Sequence, residues 1–130
     1  MGLANYFPFN LVRCPKFFRN TEMSASVKSF VDSQIKQYKV VGFSKTYCPY
    51  CKKAKSALDT FKFKDGAFGW IEIDDRSDCN EIQDYLQQLT GARSVPRVFV
   101  DGKFIGGGDD TVAAKNNGTL EKKLSEAGAI

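Results

Sequence analysis

A chain of 130 residues that is 42% hydrophobic and 26% charged can bury one core without disulfide staples and is sized for a single domain. Its net charge of +4 contains no block of five or six like charges, which argues against a nucleic-acid-binding arm. No apolar run reaches the roughly 18 residues of a membrane-spanning helix, and the absence of histidine excludes Cys–His and Ser–His nucleophile pairs and the commonest metal ligand.

Residues 1–23 differ from the rest. They hold Arg13, Lys16 and Arg19 with no acid before Glu22, and they are rich in Phe. That composition is loosely that of an organellar transit segment, although Pro8 and Pro15 interrupt any long amphipathic helix. The segment is expected to be an extension, disordered or targeting, in front of a domain at 24–130. The expected compartment is cytoplasmic, with a mitochondrial address carried by residues 1–23 as the alternative.

From there the pattern alternates. Ser24 or Ser26 can cap a helix running to about Gln37, with Val27, Phe30, Val31, Ile35 and Tyr38 as its apolar stripe. Lys39 to Ser44 is short, β-branched and aromatic, which suits a strand buried on both faces. A helix follows from Pro49 to about Phe61, with Cys51, Ala54, Leu58 and Phe61 on one face and Lys52, Lys53 and Lys55 pointing away. Phe68 to Asp74 predicts a second strand. Asp78 and Glu81 have capping-box spacing before a helix that Gly91 stops. Arg97 to Val100 is a third strand, and Asp101-Gly102 turns it into a hairpin with Lys103-Phe104-Ile105. Asp109 and Asp110 open a short helix, Gly118 ends it, and Thr119 can cap the last one. The order α-β-α-β-α-β-β-α-α implies an α/β fold: a mixed sheet with helices on both faces.

Of the four cysteines, Cys14, Cys48, Cys51 and Cys79, two form a C-x-x-C pair between a buried strand and a helix start, which suits a redox pair in a reducing compartment. Cys48 would sit at the helix N-terminus, where unpaired N–H groups and the dipole favour a thiolate. Cys51, one turn in on the apolar stripe, would hold its proton longer and resolve the mixed disulfide that Cys48 forms. Pro49 fits the first helical position, where no N–H is needed. A zinc site would need two more ligands, and the chain has neither a second C-x-x-C nor a histidine.

The run Lys45 to Lys53 around Cys48-Pro49-Tyr50-Cys51, the stretch Thr90-Gly91-Ala92-Arg93-Ser94-Val95-Pro96-Arg97-Val98-Phe99 and the stretch Gly106-Gly107-Gly108-Asp109-Asp110 together resemble dithiol glutaredoxins of the Cys-Pro-Tyr-Cys class. The likeness runs from about Val27 to the C-terminus. It implies a thioredoxin-like fold with a four-stranded sheet, and reduction of protein disulfides and protein–glutathione mixed disulfides with glutathione as electron donor and no metal. It also implies that Pro96 is cis and that the backbone of Val95 pairs with the cysteine of glutathione. Lys45 and Gln83 would meet the glycine carboxylate, with Arg93 nearby. Gly108 and Asp109 would offer backbone N–H groups to the γ-glutamyl carboxylate, Asp109 or Asp110 would take the ammonium, and Tyr50 would wall the groove. Gly108 stands where related sequences commonly have Cys, and Ser94 where they usually have Thr. The expected partners are glutathione and disulfide-bonded or glutathionylated proteins, with no nucleic acid and no membrane, and the chain is expected to be monomeric. The alternative is a [2Fe–2S] carrier, two chains sharing a cluster through Cys48 and two glutathiones; the stiffness of Pro49 beside the ligand argues against it. A thioredoxin proper would carry Gly-Pro between its cysteines.

Overall fold

The structure is a computed structural model that describes residues 15–130; most of the expected extension, with Cys14, lies outside the described residues. The first helix, α1, spans Pro15–Gln37. It starts well before Ser24 and Ser26, because no Gly or Pro interrupts the chain between Pro15 and Gln37 and a serine cap site inside a continuous helical run does not by itself start one. After it come β1 (Val40–Ser44), α2 (Pro49–Asp59), β2 (Phe68–Glu72), α3 (Cys79–Thr90), β3 (Arg97–Val100), β4 (Lys103–Gly106), α4 (Gly108–Asn116) and α5 (Thr119–Ala127).

The four strands lie in the order β2-β1-β3-β4. β1 is parallel to β2 and antiparallel to β3, and β3 and β4 form the hairpin. The hairpin turn has φ of 52° at Asp101 and 79° at Gly102, the paired positive angles that an Asp-Gly turn supplies. All five residues of β1 are buried, as expected for a central strand covered on both faces. Alternation sorts their neighbours: Val41, Phe43, Ile73 and Phe99 pack with Val27 and Val31 of α1 and Ile82, Tyr85 and Leu86 of α3. Val40, Val98 and Val100 pack with Leu58 of α2 and Leu120 and Leu124 of α5. The sheet thus carries α1 and α3 on one face and α2 and α5 on the other, with α4 against α2, α5 and β4.

Two expected caps form differently. The Asp78 side chain accepts nothing from the α3 backbone; it takes the Arg76 guanidinium at 2.8 and 3.0 Å, a charge-assisted fork stronger than a neutral N–H bond. At α5 the Asn117 carbonyl oxygen accepts from Thr119 N and Oγ1 at 3.0 and 2.7 Å, so Asn117 does the work expected of Thr119.

Gly42, in the middle of β1, is required by its neighbour: a Cβ there would lie 2.2 Å from the Trp70 ring on β2. Replacing Gly42 with Ala is expected to destabilise the fold by about 1–3 kcal/mol through overpacking, read as a lower urea midpoint. Trp70→Leu in the same chain should recover part of that loss. Strict additivity of the two changes would show that the indole is not what excludes the methyl group.

Candidate active site

β1 ends at Ser44, 1% exposed, and the chain turns through Lys45-Thr46-Tyr47 into α2. The turn is held twice. Cys48 N donates to Lys45 O at 3.2 Å, and Asp74, just past β2, accepts from Thr46 N at 3.1 Å and Thr46 Oγ1 at 2.6 Å. These bonds, with the nearby Lys45 ammonium, hold the Asp74 carboxyl below its ordinary pKa. Asp74 and Thr46 were not singled out in the sequence. Their signal is the parallel register: Ser44 faces Glu72, so the residues two further along, Thr46 and Asp74, leave the sheet side by side.

Cys48 is the N-cap of α2, with φ −89° and ψ 117°. Its Sγ accepts from Cys51 N at 3.3 Å, filling with sulfur the place a serine or aspartate oxygen usually takes. Pro49 follows at the first helical position, where no N–H is needed, and the Cys51 N–H is the helix-start donor that reaches the sulfur. Cys48 is partly exposed and also lies 3.6 Å from the carbonyl of Val95, which can accept its thiol proton. Cys51 is 2% exposed; burial pushes its thiol up to about 11, so it is protonated at neutral pH. The two sulfurs are free thiols, one reachable and one held in reserve behind it.

The opposite wall comes from two segments far apart in the chain. The Val95–Pro96 peptide is cis. Gly108, the first residue of α4, is buried against the start of α2: a Cβ there would fall 2.7 Å from the Tyr50 carbonyl oxygen. The amino ends of α2 and α4 therefore abut, and their partial positive charges act on one region. The Asp110 carboxylate caps Gly107 N at 3.1 Å, which leaves the exposed Asp109 as the free carboxylate of that turn, 3.9 Å from Lys53. Tyr50 is 52% exposed beneath the Lys53 ammonium, 5.3 Å from its ring centroid, and Tyr47 is 68% exposed.

The structure thus gathers Lys45, Tyr50, Val95, Pro96, Gly108 and Asp109 around Cys48 by these contacts and by their position at the ends of β1, β3 and β4. Gln83 is placed differently. It is 5% exposed; its Nε2 donates to the Arg93 carbonyl at 2.8 Å and its Oε1 accepts from the Cys79 thiol at 3.6 Å. Its amide braces the turn before Pro96 rather than standing free in the groove. Arg93 reaches back to Asp84 Oδ1 at 3.3 Å and Asn80 O at 3.4 Å on α3.

The family model described as Glutaredoxin matches residues 40–105. Glutaredoxin-1 of Oryctolagus cuniculus is 48% identical over 103 residues, covering 79% of this chain and 97% of the relative. Glutaredoxin-C8 of Oryza sativa subsp. japonica is 48% identical over 102 residues, 78% of this chain and 74% of the relative. Among solved structures, oxidized glutaredoxin 2 from Chlamydomonas reinhardtii superposes with a TM-score of 0.76 at 52% identity, covering 82% of this chain and 98% of that one. A buckwheat glutaredoxin–glutathione complex superposes with a TM-score of 0.77 at 38% identity, covering 84% and 96%.

Two outcomes check the site. Near pH 7, iodoacetamide should modify Cys48 and spare Cys51 in the parent chain, and Cys51 should stay unlabelled in Cys48→Ser as well, with its labelling accelerating as pH rises toward 11; fast labelling of Cys51 at pH 7 would contradict its burial. Asp74 has a native pKa below its unfolded value of roughly 3.9. Its contribution to stability is therefore present above that value and lost as pH falls through the lower native one. The urea midpoint of Asp74→Ala should lie below that of the parent at pH 7, and the gap should close in strong acid.

Proposed function

Because this chain belongs to the glutaredoxin family and is a thiol oxidoreductase of that kind, we propose that it reduces protein–glutathione mixed disulfides and protein disulfides with glutathione as electron donor. The observation that carries the proposal is the placement of the two thiols: Cys48 reachable at a helix N-terminus, Cys51 buried one turn behind it. The buckwheat relative, solved as a glutathione complex, supports glutathione as the small thiol.

In the proposed cycle the Cys48 thiolate attacks the glutathione sulfur of a mixed disulfide. The bond from Cys48 to glutathione forms, the old S–S bond breaks, and the substrate sulfur leaves as a thiolate that takes a proton from solvent. A second glutathione thiolate then attacks the bound glutathione sulfur, giving glutathione disulfide and free Cys48. With a protein disulfide, Cys51 displaces the substrate from Cys48 and the Cys48–Cys51 disulfide is reduced by two glutathiones. The high pKa of Cys51 leaves Cys48 as the thiol that attacks first.

The contacts proposed for glutathione follow charge. Lys45 takes the glycine carboxylate, the Val95 backbone pairs with the cysteinyl unit beside cis-Pro96, Gly108 and Asp109 N–H groups take the γ-glutamyl carboxylate, the Asp109 carboxylate takes the ammonium, and Tyr50 walls the groove. Gln83 contributes by holding the Arg93 carbonyl. We further propose that the chain works as a monomer in a reducing compartment, cytoplasmic or, if residues 1–23 address it there, mitochondrial; a fluorescent protein fused to those residues reports which.

Turnover with glutathione, glutathione reductase and a small glutathione mixed disulfide tests the reading. Cys48→Ser should fall to background, whereas Cys51→Ser should keep this route and lose reduction of protein disulfides. Absence of turnover by the parent chain would sink the proposal. A visible absorbance band from a dimer purified without oxygen would favour the [2Fe–2S] alternative.

A further inference from the structure

Arg97, the residue after cis-Pro96, has all three of its guanidinium nitrogens engaged. Nε donates to Ser94 O at 2.7 Å and Nη2 to Ser94 Oγ at 3.1 Å, a two-pronged grip on one residue. Nη1 donates to Thr90 Oγ1 at 3.4 Å, at the end of α3. The plane lies over the Phe104 ring of β4, 4.9 Å from its centroid. The turn into α4 lies close by: a Cβ on Gly107 would sit 3.5 Å from Nη2 and 3.4 Å from Pro96 O, and the Asp110 carboxylate acts on the guanidinium through its charge.

Arg97 thus grips one wall of the groove and lies beside another that the chain builds separately. One is the Ser94–Pro96 turn, whose Val95 carbonyl faces Cys48 Sγ. The other is the Gly107–Gly108 turn at the amino end of α4, packed on Tyr50. Gln83 holds the first wall from the α3 side through the Arg93 carbonyl; Arg97 holds it from the β4 side through Ser94. A planar fork fixes orientation as well as distance, which a flexible ammonium does not.

We propose that Arg97 is a positioning residue for glutathione, locking the Ser94–Pro96 turn to the amino end of α4 so that the Val95 backbone and the α4 N–H groups meet one ligand together. This rests on the glutathione-dependent function proposed above. Arg97 does not touch the reacting sulfurs. Its effect belongs on the stability of the bound glutathionyl group and not on the inherent reactivity of Cys48.

The test uses the full chain carrying Cys51→Ser, so that the reaction stops at one mixed disulfide. The Cys48 thiolate exchanges with glutathione disulfide, forming the Cys48–glutathione bond and releasing one glutathione thiolate, and mass spectrometry reads the equilibrium constant. Arg97→Gln should lower that constant about tenfold, the loss expected when a half-buried charge-assisted grip is removed, with the rate of Cys48 alkylation by iodoacetamide unchanged. Arg97→Lys, which keeps the charge and the fold but not the fork, should fall with it and decides the matter if the Gln variant does not fold. An unchanged constant in Arg97→Lys overturns the proposal, as does an equal drop in alkylation rate, which would mean general loosening of the site. If the parent Cys51→Ser chain glutathionylates no further folded than unfolded in urea, the glutathione reading itself fails and takes this proposal with it.

Discussion

The bond from Cys51 N to Cys48 Sγ is the contact on which the site depends. It makes a sulfur the cap of α2, so the reachable thiol sits where a helix already presents unpaired donors. Several features follow from that one requirement. β1 has to stop at Ser44 so that the chain can leave extended geometry at Cys48 and enter the helix at Pro49. The residue that donates the capping N–H is also the second thiol, which places Cys51 one turn down on the buried face. Its burial among apolar neighbours is what keeps it neutral.

A second constraint is steric. The amino ends of α2 and α4 approach so closely that Gly108 has no room for a side chain against the Tyr50 carbonyl. The approach concentrates two helix dipoles at the mouth of the groove, and glycine leaves the backbone N–H groups of the α4 turn uncovered. Here the contact ties the groove's wall directly to the first turn of the helix that holds Cys48, so the ligand pocket and the reactive thiol share one rigid unit.

The polar residues around the groove divide into those that can face a ligand and those that shape it. Lys45 and Asp109 keep charged ends at the surface, while Gln83, Asp74, Asp110 and Arg97 are engaged with backbone groups of the turns that form the walls. Such bonds are short-range and directional, so a turn held from two sides keeps its backbone aimed. A buried amide like Gln83 satisfies both ends inside the chain because leaving either unpaired would cost about 1–3 kcal/mol.

The strands, the helices from α2 onward and the C-x-x-C at a strand–helix junction could all be read from the chain, because hydrophobic period and turn residues are local signals: Asp101-Gly102 for the hairpin, Gly91 for the end of α3, continuous β-branched burial for β1. The start of α1 was not, since Ser24 and Ser26 look like caps to a local rule and only the surrounding helix shows that they are interior. Tertiary structure alone decided which donors meet which acceptors. Asp78 took Arg76 instead of its own helix, Asn117 replaced Thr119, Gln83 turned inward, and Asp74 and Arg97 became braces. Each choice turned on residues distant in sequence or on competition between near-equal partners, and such contests are settled by distance and desolvation once the chain has packed. The identity of the reactive thiol was written locally in Cys48-Pro49; the shape of the groove that receives its ligand exists only where β1, the Ser94–Pro96 turn and α4 come together.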